Sequence, residues 1–314
     1  PVVVGWNAID IIPHEHPLKA GQPGGRGDRP GNFAVQNADF ILSIGSRLSI
    51  RQVGYNFKTW AREAFTVVCD IDEEELKKPS VHVDIPVHAD AYELLKALDD
   101  KLDEMGIKGH GIKYDRTELL KQEHYGDGSS LFDGGEGKNG RNWLEQCAYW
   151  MEKYSPYRAE YADHGDDEPA NVYEFMKVLS ESLNEEQITV VGNGSACVVG
   201  AQVFRVKDGS RFVSQDAIAA MGYDLPAAIG ACAAVHDVSG KTYPVSYDGS
   251  ECTEDRSVDD KIHSCGELEL AKKLPNWRGT TERYPSYYKH DIICPTGDGS
   301  IMMNLQELQT IASH

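Results

Sequence analysis

Short apolar runs followed by stretches of helical period occur twice along this 314-residue chain, and that alternation confines it to an α/β architecture. In the first hundred residues the runs are Pro1, Val2, Val3 and Val4, then Phe40, Ile41, Leu42, Ser43 and Ile44, then Thr66, Val67, Val68 and Cys69. Glu93, Leu94, Leu95, Lys96, Ala97 and Leu98 have a helical pattern, with Asp90 placed to cap it. Runs apolar on both faces belong to parallel sheets covered by helices. A second α/β pattern begins near Asn171. There Val172, Phe175, Met176 and Leu179 recur at helical spacing, and Ile188, Thr189, Val190 and Val191 form a strand running into Gly192, Asn193, Gly194 and Ser195. The expectation is two parallel-sheet α/β domains, 1–105 and 171–314. They are joined over 106–170 by a glycine-rich linker that includes a helix at 143–154. A polar, aromatic insertion at 238–290 has no sustained period.

The length suits two domains. A formal charge of −19 opposes nucleic acid or an anionic membrane as a partner. No segment approaches the roughly 18 consecutive apolar residues of a membrane span. The seven cysteines, Cys69, Cys147, Cys197, Cys232, Cys252, Cys265 and Cys294, are scattered and odd in number, as expected of reduced thiols in a cytoplasmic protein. The start at Pro1, without Met or a charged leader, suggests a record that opens inside a longer chain.

The chemistry concentrates near the end. Ile292, Ile293 and Cys294 form a short apolar strand, Gly297-Asp298-Gly299-Ser300 a tight turn, and Ile301, Leu305, Leu308 and Ile311 one face of a helix. Glycines let a ligand approach the backbone, and the first N–H groups of a helix favour an anion. Asp298 adds a hard oxygen suited to Mg²⁺ bridging carboxylate and diphosphate. The same tetrapeptide, Gly126-Asp127-Gly128-Ser129, has neither strand before it nor apolar helix after it and reads as a solvated turn. His14-Glu15-His16 lies between prolines and reads the same way, while Cys252, His263 and Cys265 lack zinc-site spacing.

Taken with its neighbours, the 296–310 stretch resembles the start of the thiamine diphosphate and Mg²⁺ signature of acetolactate synthase-like enzymes. The string Ala220-Met221-Gly222-Tyr223-Asp224-Leu225-Pro226-Ala227-Ala228 resembles that family's second landmark, where a Met supports the bent cofactor. Gly192-Asn193-Gly194-Ser195-Ala196 matches its first diphosphate loop, with Ser195-Ala196 where the synthases usually carry Gln-His and Ala219 where a Gly is customary. The resemblance implies cofactor contacts from Gly194, Ser195, Ala196, Met221, Gly297, Gly299 and Ser300, and a metal ligand in Asp298. The front domain resembles the family's Rossmann-like central domain through the 25–34 glycine loop, Gly45-Ser46-Arg47-Leu48 and Asp70-Ile71-Asp72. FAD is a further possible cofactor there, with Asp70 as the acid at a strand end.

The implied activity is decarboxylation of a small 2-oxo acid, with transfer of the remaining fragment to a second carbonyl or a proton. The implied assembly is a homo-oligomer, dimer or tetramer, with sites between subunits. The family's catalytic Glu and second metal ligand fall outside the 314 residues, so the chain alone is expected to be inactive. A non-catalytic dinucleotide-binding module and an inactive gene fragment are the alternative readings.

Overall fold

A computed structural model describes residues 1–107, 142–163, 165, 168–185, 187–235 and 292–313. The 126–129 tetrapeptide, the glycine-rich run that follows it and the 238–290 insertion lie outside the described residues. Both expected parallel sheets are present.

In the front sheet, β1 (Phe40–Ile44), β2 (Phe65–Asp70) and β3 (Ile85–His88) lie in that order, all parallel. Phe40 pairs with Phe65, and Val67 with Ile85. One sheet face is buried at Ser43, Thr66, Val68 and Asp70, with Val68 clustering with Leu48, Val53, Leu76 and Val81. Helix α1 (Arg29–Asn37) precedes β1 because Asp28 caps it, accepting from Gly31 N at 2.6 Å, and Pro30 fits its first turn. Burial pushes the Asp28 carboxyl up to about 6 against the opposing pull of its hydrogen bonds from Gly31 and Gln22. Helices α2 (Ile50–Val53) and α3 (Glu73–Lys77) follow β1 and β2, and α4 (Ala91–Glu104) follows β3. Asp90 caps α4 through Tyr92 N and Glu93 N, as its position predicts.

The first apolar run differs from expectation. Residues 1–4 form no strand; Val2 makes a single parallel bridge with Lys19, and Val4 N donates to Gly21 O at 3.1 Å. Four apolar residues cannot form a ladder when the next segment is drawn elsewhere. Trp6 and Ile9 are buried with Met176, Val191, Phe204 and Phe212 of the back half. Asp10 accepts from Arg211 Nε at 2.6 Å and from Phe212 N at 3.1 Å, satisfying a strand N–H that has no ladder partner on that side.

Helix α5 (Trp143–Lys153) opens with a capping box between Asn142 and Glu145 and packs on α1, Phe33 meeting Trp150 edge-on at 5.6 Å. In the back half, β4 (Ile188–Val190) and β5 (Arg211–Val213) are parallel, flanked by α6 (Val172–Ser182), α7 (Ser195–Val203) and α8 (Asp224–Val235). Residues 292–294 run alongside β4 as a single bridge rather than a full strand: Val190 N donates to Ile293 O at 2.8 Å and Ile293 N to Ile188 O at 3.1 Å.

The helix expected through Ile301, Leu305, Leu308 and Ile311 is broken into α9 (Asp298–Met303) and α10 (Glu307–Ser313), and α9 already opens at Asp298, so the tight turn expected over 297–300 is the first turn of a helix capped by Gly297. Asn304 leaves helical geometry at φ −135°, and its side chain donates to Gly222 O at 2.6 Å. A short amide that finds a tertiary carbonyl competes with continuation of the helix. Leu305, Leu308 and Ile311 consequently stand exposed. Cys69, Cys147 and Cys197 are buried thiols as expected, while Cys232 is exposed. Among the described residues no helix is long and apolar enough to cross a membrane.

Candidate functional site

Three segments meet at the carboxyl end of β4, where open parallel sheets place their ligands. The first is the loop 192–194 leading into α7. Gly194, its cap residue, has φ +96°, a conformation an L side chain rarely adopts. Ser195 and Ala196 open the helix, Ser195 exposed and Ala196 half-buried.

The second segment is the turn 219–223 before α8. Ala219 sits at φ 59°, the left-handed region, and its carbonyl accepts from Asn193 Nδ2 at 2.6 Å, which ties this turn to the first loop. Met221 is half-exposed. Gly222 has φ +83° and lies so close to the third segment that a Cβ there would stand 2.7 Å from Met303 Cβ.

The third segment is residues 295–304. Gly192 N donates to Pro295 O at 3.0 Å, aligning this segment with β4. Met221 Cε lies over Gly299, 2.9 Å from where a Cβ would be. Asp298 is exposed at the first helical position of α9, with one carboxylate oxygen accepting from Gly299 N at 2.8 Å. Ser300 is buried, and its hydroxyl is committed to Gly222 N and the Asp224 carboxylate.

Beneath these segments lies Asp224, fully buried at the start of α8. Ser300 Oγ donates to its Oδ1 at 2.9 Å, and Thr296 Oγ1 donates to its Oδ2. Gly192 leaves the room this requires, since a Cβ there would meet Asp224 Oδ2 at 2.3 Å. Burial, helped by the nearby Asp224 charge, pushes the Cys294 thiol up to about 11.

The structure thus brings Met221 against Gly299 and ties the Gly194 loop to the Met221 turn. Asp224, Thr296 and Asn304 are residues for which sequence reasoning supplied no role. The available signal was a lone acid opening an otherwise apolar helix. In the front half, Asp70 does not display its carboxylate to a ligand. It is buried and accepts from Asp72 N at 3.0 Å, closing the turn after β2, so the FAD expectation gains no support. His16 Nδ1 accepts from Leu18 N at 3.2 Å within its own turn, and the described residues contain no group of three or more metal-ligating side chains.

The chain matches two family profiles, described as the thiamine pyrophosphate enzyme central domain over residues 1–98 and the thiamine pyrophosphate enzyme C-terminal TPP binding domain over residues 192–250. It is 26% identical to a probable acetolactate synthase large subunit of Methanococcus aeolicus, covering 100% of this chain and 40% of that protein. The corresponding protein of Methanocaldococcus jannaschii is also 26% identical, over 100% of this chain and 39% of its own length. A sulfoacetaldehyde acetyltransferase of Roseovarius nubinhibens is 24% identical, over 74% of this chain and 36% of its own. The chain therefore spans about two fifths of the length of the first two relatives it matches.

Proposed function

The chain belongs to the thiamine pyrophosphate enzyme family, and from that premise we propose that its back half holds the diphosphate end of thiamine diphosphate through Mg²⁺, in an acetolactate synthase-like decarboxylation and carboligation of a small 2-oxo acid. The observation that carries this reading is the convergence of Gly194, Met221 and Gly299 at the end of β4 beside an exposed Asp298. The names of the relatives support the reaction class. When bound, thiamine diphosphate supplies the carbon nucleophile and the electron sink.

The protein's part is to bind, bend and shield. Asp298 would hold Mg²⁺ through its exposed carboxylate, and the backbone of Gly297, Gly299 and Ser300 would face the diphosphate. Ser300 would act through its backbone alone, its hydroxyl being committed to Gly222 N and the Asp224 carboxylate. Gly194, Ser195 and Ala196 would line the other side of the diphosphate. Met221, seated on Gly299, would support the bend between the two rings. Met302, Met303, Leu305, Leu308 and Ile311 are exposed beside the site, and this apolar set supports a homo-oligomer, with a second copy closing the site.

Titration calorimetry tests the reading. The wild-type chain is expected to bind thiamine diphosphate only with Mg²⁺ present, and Asp298→Ala to lose that binding with an unchanged thermal midpoint, since an exposed side chain at the start of a helix supports no core. Asp127→Ala, in the twin tetrapeptide, is expected to change nothing. Equal affinity in the Asp298 variant would remove the metal assignment.

A further inference from the structure

We propose that Asp224 is the positioning residue of this cradle: acting through Ser300 and Thr296, it locks the Met221–Gly222 turn and the start of α9 into one register, so that cofactor affinity depends on a carboxylate that never touches the cofactor. The proposal rests on the thiamine diphosphate reading and adds to it the element that makes two loops one site.

The hydrogen bonds have a fixed polarity. An ionised carboxylate only accepts, so both hydroxyls facing Asp224 must donate to it. Ser300 Oγ gives its proton to Oδ1 at 2.9 Å and therefore has only lone pairs left for Gly222 N, which donates to it at 2.9 Å. Thr296 Oγ1 donates to Oδ2, so one carboxylate holds residues on both sides of Gly297. Gly222 is gripped a second time, its carbonyl accepting from Asn304 Nδ2 at 2.6 Å. Both polar groups of the left-handed glycine beside Met221 are thus committed to the 296–304 segment.

Three features hold the carboxylate in its fully buried position. The two hydroxyl donors make charge-assisted bonds. Asp224 is the first residue of the twelve-residue α8, where the helix dipole favours a negative charge. The missing side chain at Gly192 lets the carboxylate lie against the end of β4, so the same contact registers the cradle to the sheet. Asparagine at 224 would keep the shape but reverse one bond, directing an N–H₂ at a hydroxyl already committed to donating.

The experiment compares the wild-type chain with Asp224→Asn, Ser300→Ala, Thr296→Val and Thr296→Ser, and with the Asp224→Asn/Ser300→Ala double variant. Two quantities are read: the amide exchange rate of Gly222 without ligand, and the Mg²⁺-dependent affinity for thiamine diphosphate. Asp224→Asn and Ser300→Ala are each expected to speed Gly222 exchange and weaken binding by about tenfold, with the double variant little worse than either single, as coupled neighbours behave. Thr296→Val should weaken binding and Thr296→Ser, which keeps the hydroxyl, should restore it. Should Asp224→Asn fail to fold, the Ser300 and Thr296 variants carry the test. Unchanged Gly222 exchange in Ser300→Ala overturns the proposal, as do additive losses in the double variant. If the wild-type chain itself shows no Mg²⁺-dependent binding, the cofactor reading and this proposal fall together; if it binds and the variants bind equally well, only this proposal falls.

Discussion

At the scale of single residues, the cradle contains a position where side-chain chemistry and backbone conformation disagree. Ala219 occupies φ 59°, a region that costs an L residue about 1–2 kcal/mol. The conformation is held because the Ala219 carbonyl accepts from Asn193 Nδ2 and the next residue's N–H donates to Gln215 Oε1 at 3.0 Å. Glycine would adopt that conformation without strain but would lose more entropy on folding, an offset of about 0.4–1 kcal/mol. Ala219→Gly is therefore expected to stabilise the chain by about 0.5–1 kcal/mol. A urea midpoint that stays level or falls would show that the strain is not stored there. Cofactor affinity should hold, because the tie to Asn193 uses the Ala219 carbonyl, which glycine retains.

At the scale of elements, close backbone approach positions α1 more tightly than its apolar residues do. A Cβ on Gly31 would stand 2.4 Å from Gln22 N and 2.7 Å from Pro23 N, with no flexible side chain able to yield. Gly31→Ala must push α1 away from the 22–23 backbone. That movement disturbs the Asp28 cap and the α1 contact with α5 through Phe33 and Trp150. The expected loss is about 1–3 kcal/mol, the usual range for overpacking. Gly200 offers the contrast: a Cβ there meets Met176 Cε at 2.9 Å and Phe212 Cζ at 3.0 Å, both side-chain ends that can shift. Gly200→Ala should accordingly cost less than Gly31→Ala when the two are compared by chemical denaturation.

At the scale of the whole molecule, the segment after Val4 joins the two halves. Trp6 and Ile9 enter the apolar cluster around Met176 and Phe212, Asp10 satisfies Phe212 N, and His14 N donates to Val206 O at 2.7 Å. Gln202 Nε2 donates to Arg26 O at 2.9 Å, a second tie across the same seam. Trp6→Ala should cost about 3–5 kcal/mol, the range for truncating a buried aromatic. It should also raise the amide exchange of residues in the 5–15 segment above that of β2. Retained protection in that segment would show that Asp10 and the backbone bonds hold it without the indole.

The sequence by itself determined the parts whose cause is local. Strand and helix periods fixed both parallel sheets, Asp90 marked the start of α4, and Gly194 marked the left-handed bend into α7. Each of these follows from the preferences of neighbouring residues, which a window of sequence contains. The tertiary structure decided everything that depends on distant partners. Asn304 broke a helix whose apolar period was intact, because Gly222 O, far back in the chain, offered its side chain a better bond. The apolar run at Pro1 became a single bridge because Trp6 found its pocket in the other half. Asp224 was legible only as an acid at a helix start. What made it the buried centre of the site was the arrival of Thr296 and Ser300, 72 and 76 residues later, and the space left by Gly192. Burial of a charge is stable only where donors converge on it, and that convergence is a property of packing rather than of sequence order.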